Sequence, residues 1–269
     1  IYPLGNRWIL AIAALLLLQG PLLASLLMIA TGAKAPAEPL HWSLMGETFA
    51  IYANGSFADV FQRNVFWGQL GKWAFMVESG RIWNVIGLFL VGFVLGRLRF
   101  FENYRERLPL LFAAFGAGLL LLGVVHVSQA LISSSSLPEA VAALGGEILQ
   151  HYVNNLLTIL GVLLFLFVYE IRWMKAPMNW LAPCGRMSLT VYVTQSLYGV
   201  PLFYGFGLGL YTGFGQVNAL LLGLALWCVQ MLIAHAWMKR YYYGPFEWLW
   251  RAGTYLSMDV PWRRGRERG

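Results

Sequence analysis

The chain has 269 residues, of which 59% are apolar and only 12% charged. A soluble domain of ordinary composition carries about 25% charged residues, so a water-filled environment is excluded for most of this surface. The formal charge of +7 does not mark a nucleic-acid partner. The Lys and Arg residues stand in short clusters between apolar runs, as in membrane proteins, and form no continuous basic face.

A helix needs about 20 mostly apolar residues to cross a bilayer. Six stretches meet that length, at about 8–30, 80–98, 108–132, 148–171, 186–206 and 217–238. The expected fold is all-α: a single polytopic membrane bundle over 1–269 with about six transmembrane helices. The chain starts Ile1-Tyr2-Pro3 without an initiator Met, and the expectation is that an N-terminal portion precedes it.

Charge sets the expected orientation. Arg97, Arg99, Arg105 and Arg107 separate the second and third stretches, and Arg172, Lys175 and Arg186 separate the fourth and fifth. Lys239, Arg240 and the Arg263-Arg264-Gly265-Arg266 group follow the sixth, while 133–147 and 207–216 contain no Lys or Arg. Basic loops stay on the cytoplasmic side. Both ends, including the basic tail 257–269, are therefore expected on the cytoplasmic side, with the connection 31–79 outside.

That connection begins with Pro, Ala and Gly, which predict irregular structure. From Ser56 to Glu78 the apolar residues Phe57, Phe61, Val65, Phe66, Leu70, Trp73 and Val77 recur at helical spacing. This predicts an amphipathic helix, lying on the outer surface or docked against the bundle. In the second stretch, Gly92 and Gly96 form a small-xxx-small pair of the kind that packs helices closely.

Polar groups inside a bilayer are costly, so they are the candidates for function. In the fourth stretch His151, Asn154, Asn155 and Thr158 share a helical face, which lines either a cavity or an interhelical hydrogen-bond seam. The third stretch carries His126 at a similar depth. An imidazole titrates near neutrality, which makes His151 and His126 the candidate general bases, with Asn154 and Asn155 orienting a substrate. His41, in the outer connection, carries no signal. The fifth stretch opens with Arg186 and continues through Thr190, Tyr192, Thr194 and Gln195. Arg186 there either holds an anionic group or snorkels to lipid head groups. The thiols Cys184 and Cys228 show no metal-ligand spacing, and no phosphate loop, zinc-protease or dinucleotide motif is present. No resident metal and no covalently bound cofactor are expected.

After the last stretch, Gly244-Pro245-Phe246-Glu247-Trp248-Leu249-Trp250-Arg251 reads as a short interfacial helix. Gly244 caps it, Pro245 suits its first turn, and Glu247 is spaced to pair with Arg251. Glu247, Trp248, Trp250 and Arg251 are assigned an interfacial, structural part on the cytoplasmic face.

This segment and Gly185-Arg186-Met187-Ser188-Leu189-Thr190-Val191-Tyr192 with Gln195-Ser196 together resemble the YeiB-like family of bacterial membrane proteins, a domain of unknown function (number 418), most strongly over 180–256. The family in turn distantly resembles the acyltransferase-three and heparan-glucosaminide acetyltransferase group. The resemblance implies transfer of an acyl group from a cytoplasmic donor, such as acetyl-CoA or another acyl-CoA, to a hydroxyl or amine at the membrane. Arg186, Thr190, Tyr192 and Gln195 then become candidate substrate-binding residues. Two other functions fit the same residues: a transporter or lipid-handling protein without covalent chemistry, and an accessory subunit of a membrane complex. The expected partners are membrane lipids and a second copy or another membrane subunit, with no nucleic acid.

Overall fold

The computed structural model of the chain describes residues 4–34 and 39–263. The start of the chain and the Arg264–Arg266 part of the basic tail lie outside the described residues.

The described residues form fourteen α-helices. The first seven are α1 (Asn6–Leu17), α2 (Gly20–Ala30), α3 (Leu40–Met45), α4 (Thr48–Asn54), α5 (Phe57–Val65), α6 (Trp67–Glu78) and α7 (Arg81–Arg97). The remainder are α8 (Phe100–Asn103), α9 (Leu108–Ser133), α10 (Glu139–Glu170), α11 (Lys175–Arg186), α12 (Ser188–Phe203), α13 (Gln216–Arg240) and α14 (Pro245–Tyr255). Among the described residues the extended chain is limited to one isolated bridge between Tyr241 and Arg263. The fold is all-α, as the apolar periodicity predicts.

Three helical segments, Phe100–Ser133, Glu139–Glu170 and Gln216–Arg240, are long and apolar enough to cross a membrane. Their apolar side chains, among them Leu120, Leu164 and Val217, are exposed. Water does not tolerate so much contiguous apolar surface, whereas lipid does. These helices fit a helical membrane bundle.

Of the six expected stretches, two are or belong to bent helix pairs and one is shorter than a span. The stretch 8–30 is two helices, α1 and α2, bent by 43°, and α7, which covers the second stretch, meets α6 of the preceding connection at a bend of 72°. Counted as one broken span each, the pairs bring the number of candidate spans to five. The stretch 186–206 does not qualify: α12 has 16 residues, about 24 Å of helix against a hydrocarbon core of about 30 Å. Met187 breaks it from α11, and Pro201 sits near its end. The outer connection is also more helical than Pro, Ala and Gly predict, because α3 and α4 form within it. The single helix expected over 56–78 is divided at Phe66 into α5 and α6.

The chain divides into two compact units, Ile1–Gly46 with Val65–Val168 and Glu47–Asn64 with Tyr169–Gly269. In the first, α1 and α7 run antiparallel. Arg97 Nη1 donates to the Leu4 carbonyl at 2.9 Å and to Asn6 Oδ1 at 3.1 Å at one end. Toward the other end Gly87 faces Leu17, leaving no room for a Cβ. Close packing thus falls at Gly87; Cβ atoms at Gly92 and Gly96 would meet nothing, so the expected small-residue seam is not where these helices touch. α9, with Tyr104 of the turn before it, packs on α10 through Leu111, Leu163 and Leu166, with Phe112 stacked on Phe167 at 4.0 Å. His41, which the sequence leaves without a role, bonds Glu78 through Nδ1 at 2.7 Å, and the same carboxylate receives the Leu40 and His41 backbone N–H groups.

In the second unit, Met187, Ala234 and Met238 form a buried core with Cys184, Val191 and Trp237 packed around it. Gly205 donates its N–H to the Tyr52 carbonyl at 2.9 Å, stacking Tyr204 on Tyr52 at 4.6 Å. The glycine-rich turn therefore serves a close backbone approach.

Candidate functional site

The first break falls where a proline cannot continue a helix, and the second where a glycine permits a turn. Pro21 has no N–H, and its ring would clash with the Leu17 carbonyl if α1 ran on. The chain turns instead at Gln19, which takes a left-handed backbone with φ 57° and ψ 43°. The second break turns at Gly80, left-handed with φ 70°, a conformation glycine adopts without strain. The two breaks are neighbours: a Cβ on Gly80 would lie 2.5 Å from Gln19 Oε1 and 2.6 Å from Leu22 Cδ1.

A helix break frees backbone carbonyls, and in an apolar setting they need donors. Two consecutive residues of α10 supply them. His151 Nε2 lies 2.5 Å from the Ser79 carbonyl, and the Tyr152 hydroxyl donates to the Leu18 carbonyl at 2.8 Å. A carbonyl only accepts, so Nε2 carries the proton and the lone pair of the neutral ring is on Nδ1.

Other polar atoms here have no such partner. Gln19 is fully buried, and both its amide atoms, Oε1 and Nε2, are unpaired among the described residues. The buried Oδ1 atoms of Asn84 and Asn155 are unpaired as well. Asn84 lies on the α7 stripe of Gly80 and Gly87 that faces α1, and Asn155 lies one turn beyond His151. A left-handed glutamine costs on the order of 1–3 kcal/mol, and a buried unpaired amide costs about as much again. Such local cost is concentrated where a protein does its work.

The structure separates residues that the sequence groups together. His126 is exposed and turns Nδ1 to the Leu122 carbonyl of its own helix at 2.9 Å. No hydrogen bond joins it to His151 among the described residues. Asn154 is exposed and accepts from Gln150 at 3.2 Å, which in turn accepts from Gln129 at 3.3 Å. Of the predicted polar face, His151 reaches a break, and Asn155 has a buried, unpaired Oδ1. Gln19, Ser79, Gly80 and Asn84 escape a reading based on hydropathy. The signal for the first was a glutamine followed by Gly20-Pro21 within a run of leucines.

The motif residues of the second unit hold one another. The Glu247 carboxylate accepts the Thr190 N–H at 3.0 Å and the Thr190 hydroxyl at 2.5 Å. That hydroxyl accepts the Phe246 N–H at 3.1 Å. Each residue thus caps the first turn of the other's helix, a capping box shared between α12 and α14. Gly244 is buried where a Cβ would strike Glu247, Thr190 and Met187. The expected Glu247–Arg251 pair does not form. Arg251 instead lies over the Tyr243 ring, 4.5 Å from its centroid. Trp248 Nε1 donates to the Val260 carbonyl at 3.0 Å, and Trp250 is exposed.

Gln195 donates to Gln230 Oε1 at 3.1 Å, while Gln230 Nε2 reaches Thr194 Oγ1 at 2.8 Å and the Val191 carbonyl at 2.9 Å. This network is a satisfied interhelical seam. Arg186 and Tyr192 are exposed, apart from it.

Residues 95–257 match the family described as Protein of unknown function (DUF418). The chain belongs to this family. The DUF418 match takes in His151, Asn155, Thr190 and Glu247, whereas Gln19, Ser79, Gly80 and Asn84 precede it. One relative, "Uncharacterized protein YxaH" of Bacillus subtilis (strain 168), is 26% identical over 221 residues, which is 77% of this chain and 50% of the relative. Another, "Uncharacterized protein YeiB" of Escherichia coli (strain K12), is 38% identical over 74 residues, or 28% of this chain and 19% of the relative. The DUF418 chain thus spans at most about half the length of these relatives. No solved structure matches it.

Proposed function

We propose that this chain is part of a multi-pass protein of the bacterial inner membrane that binds a small polar solute between its two broken spans. The observation that carries this reading is Gln19: fully buried, left-handed and unpaired at both amide atoms beside Gly80. Discontinuous helices with polar groups at their breaks are how membrane transporters build solute sites away from the water phase. The basic connection Arg97–Arg107 faces the cytoplasm in this reading. Exposed Leu249, Trp250 and Tyr255 on α14 anchor it among lipid head groups. The test is a thermal-shift screen of the full-length purified protein against uncharged, zwitterionic and charged small solutes, with proteoliposome flux measured for each hit. A hit that no longer stabilises Gln19→Met supports the reading. A screen in which every hit survives that substitution sinks it.

A second reading keeps covalent chemistry, and the orientation of His151 favours it. With Nε2–H fixed on a backbone carbonyl, Nδ1 is a positioned base. In acyl transfer, Nδ1 takes the proton of an acceptor hydroxyl or amine as that atom attacks the thioester carbonyl of an acyl-CoA. The C–S bond breaks, and the CoA thiolate leaves and takes up a proton. Acyl-CoA consumption by the full-length protein, lost in His151→Ala and in His151→Gln alike, is the expected result. Equal consumption by the His151 variants excludes it.

A further inference from the structure

We infer that the groove beside α14 holds the head of one anionic phospholipid, with its phosphate on Arg251. This rests on reading α14 as a helix at the membrane surface.

Arg251 is a cation that the fold leaves without an anion. Glu247, one turn earlier, commits both carboxylate oxygens to the Thr190 N–H and hydroxyl. Among the described residues no other carboxylate pairs with Arg251. Its guanidinium lies over the Tyr243 ring, 4.5 Å from the centroid. An aromatic face holds a guanidinium in place and leaves its N–H edge free. That edge is a rigid fork whose spacing matches two oxygens of a phosphate. An Arg that only snorkels has no such fixed geometry.

A concavity of about 480 Å³ opens at Arg251, lined also by Leu189, Glu247, Trp250, Thr254 and Tyr255. A neighbouring one of about 320 Å³ shares Arg251 and Tyr255 but contains Asp259. A free carboxylate opposes an anion, so the phosphate is assigned to the first, where the Glu247 charge is taken up by Thr190. Leu189, Trp250 and Tyr255 are exposed, and Trp and Tyr are the residues that sit at head-group level. The lining is therefore amphiphilic, one free cation beside apolar surface. A free phosphate uses only the cation, whereas a phospholipid uses both parts. From Lys239 to Arg263 there are four cations, Lys239, Arg240, Arg251 and Arg263, against two carboxylates, Glu247 and Asp259. The local excess of positive charge favours an anionic over a zwitterionic lipid.

The experiment uses the full-length purified protein in nanodiscs of phosphatidylcholine with phosphatidylglycerol added in steps. The readouts are the unfolding midpoint and the quenching of tryptophan fluorescence by brominated lipid. Quenching of Trp250 is the difference between wild type and Trp250→Phe. The expected result is a saturable rise of the midpoint with phosphatidylglycerol. Brominated phosphatidylglycerol is also expected to quench Trp250 more than brominated phosphatidylcholine at the same mole fraction. Arg251→Gln should weaken half-saturation by about tenfold or more, and Arg251→Lys should recover part of it. Arg107→Gln removes the same charge from the other compact unit and should change nothing.

A response equal for the two lipids, or one that persists in Arg251→Gln, overturns the inference. If Arg251→Gln does not fold, the lipid preference of Trp250 quenching in the wild type decides. A rise of the same size with inorganic phosphate at matched ionic strength identifies a free anion and overturns the lipid assignment. If both brominated lipids quench Trp250 alike, α14 lies at the membrane surface and only the head-group site falls. If neither quenches it, the surface reading of α14 falls as well.

Discussion

His151 Nε2 lies 2.5 Å from the carbonyl of Ser79, 72 residues earlier in the chain. One imidazole therefore closes a helix break and, by fixing its own tautomer, leaves Nδ1 as its basic atom. His151→Ala leaves the Ser79 carbonyl buried without its donor, and the expected loss is about 1–3 kcal/mol of stability. His151→Gln offers an amide N–H near the Nε2 position and is expected to recover part of that loss, but it has no basic nitrogen. Unfolding midpoints and acyl-CoA turnover, measured together on both variants, separate the bracing part of this residue from a chemical one.

Gly80 is expected to tolerate no side chain. Its φ of 70° strains any L-residue, and a Cβ would strike Gln19 and Leu22. Gly80→Ala should cost about 1–3 kcal/mol. Gly92 is the control: it is helical and faces open space, so Gly92→Ala should be neutral or stabilising by about 0.5–1 kcal/mol. Equal midpoints for the two variants would show that the second break is not held against Gln19.

At the start of α5, the Ser56 hydroxyl and backbone N–H both donate to Asp59 Oδ2, at 2.7 Å and 2.9 Å, and the Asp59 N–H returns a bond to the hydroxyl. The Ser56 hydroxyl first, and then its backbone N–H, hold the Asp59 carboxyl below its ordinary value. A carboxylate whose folded pKa is depressed contributes stability that is complete above the unfolded pKa and is lost as pH falls through the folded one. The first turn of α5 should therefore fray in acid, below the usual Asp range of about 3.9. Backbone amide exchange at Asp59 and Val60, whose N–H groups bond Ser56, compared at about pH 6 and about pH 2.5, is expected to show protection at the higher pH only. Asp59→Asn should remove that pH dependence.

Apolar composition and periodicity disclose the helices, and the motif blocks disclose the pair that locks α12 to α14, because those signals are local and repeat along the chain. The breaks were less visible. A hydropathy window averages Gln19, Gly20 and Pro21 with the leucines around them and returns a single span, though Pro21 stops α1 as surely as any solvent-exposed turn. His151 was legible as a polar residue on an apolar helix. Its partner was not, since a backbone carbonyl at Ser79 leaves no mark in the side-chain pattern. Asn154 and Asn155 look alike in sequence, yet the 100° between neighbouring helix positions leaves the first exposed and turns the second inward.

Thr190 and Glu247 make the most direct test of how the family motifs act. Their reciprocal bonds predict that the two side chains work as one unit. Thr190→Val and Glu247→Gln each remove charge-assisted or capping bonds, and each is expected to cost about 1–3 kcal/mol. The double variant should cost clearly less than the sum, with a coupling of about 0.5–3 kcal/mol by denaturant or thermal unfolding. Additive losses would mean that the capping box is not formed in the folded protein. Arg251→Ala is the companion measurement. Because Arg251 rests on Tyr243 and not on Glu247, its removal should cost no more than about 0.5–1 kcal/mol, and it should add independently to Glu247→Gln.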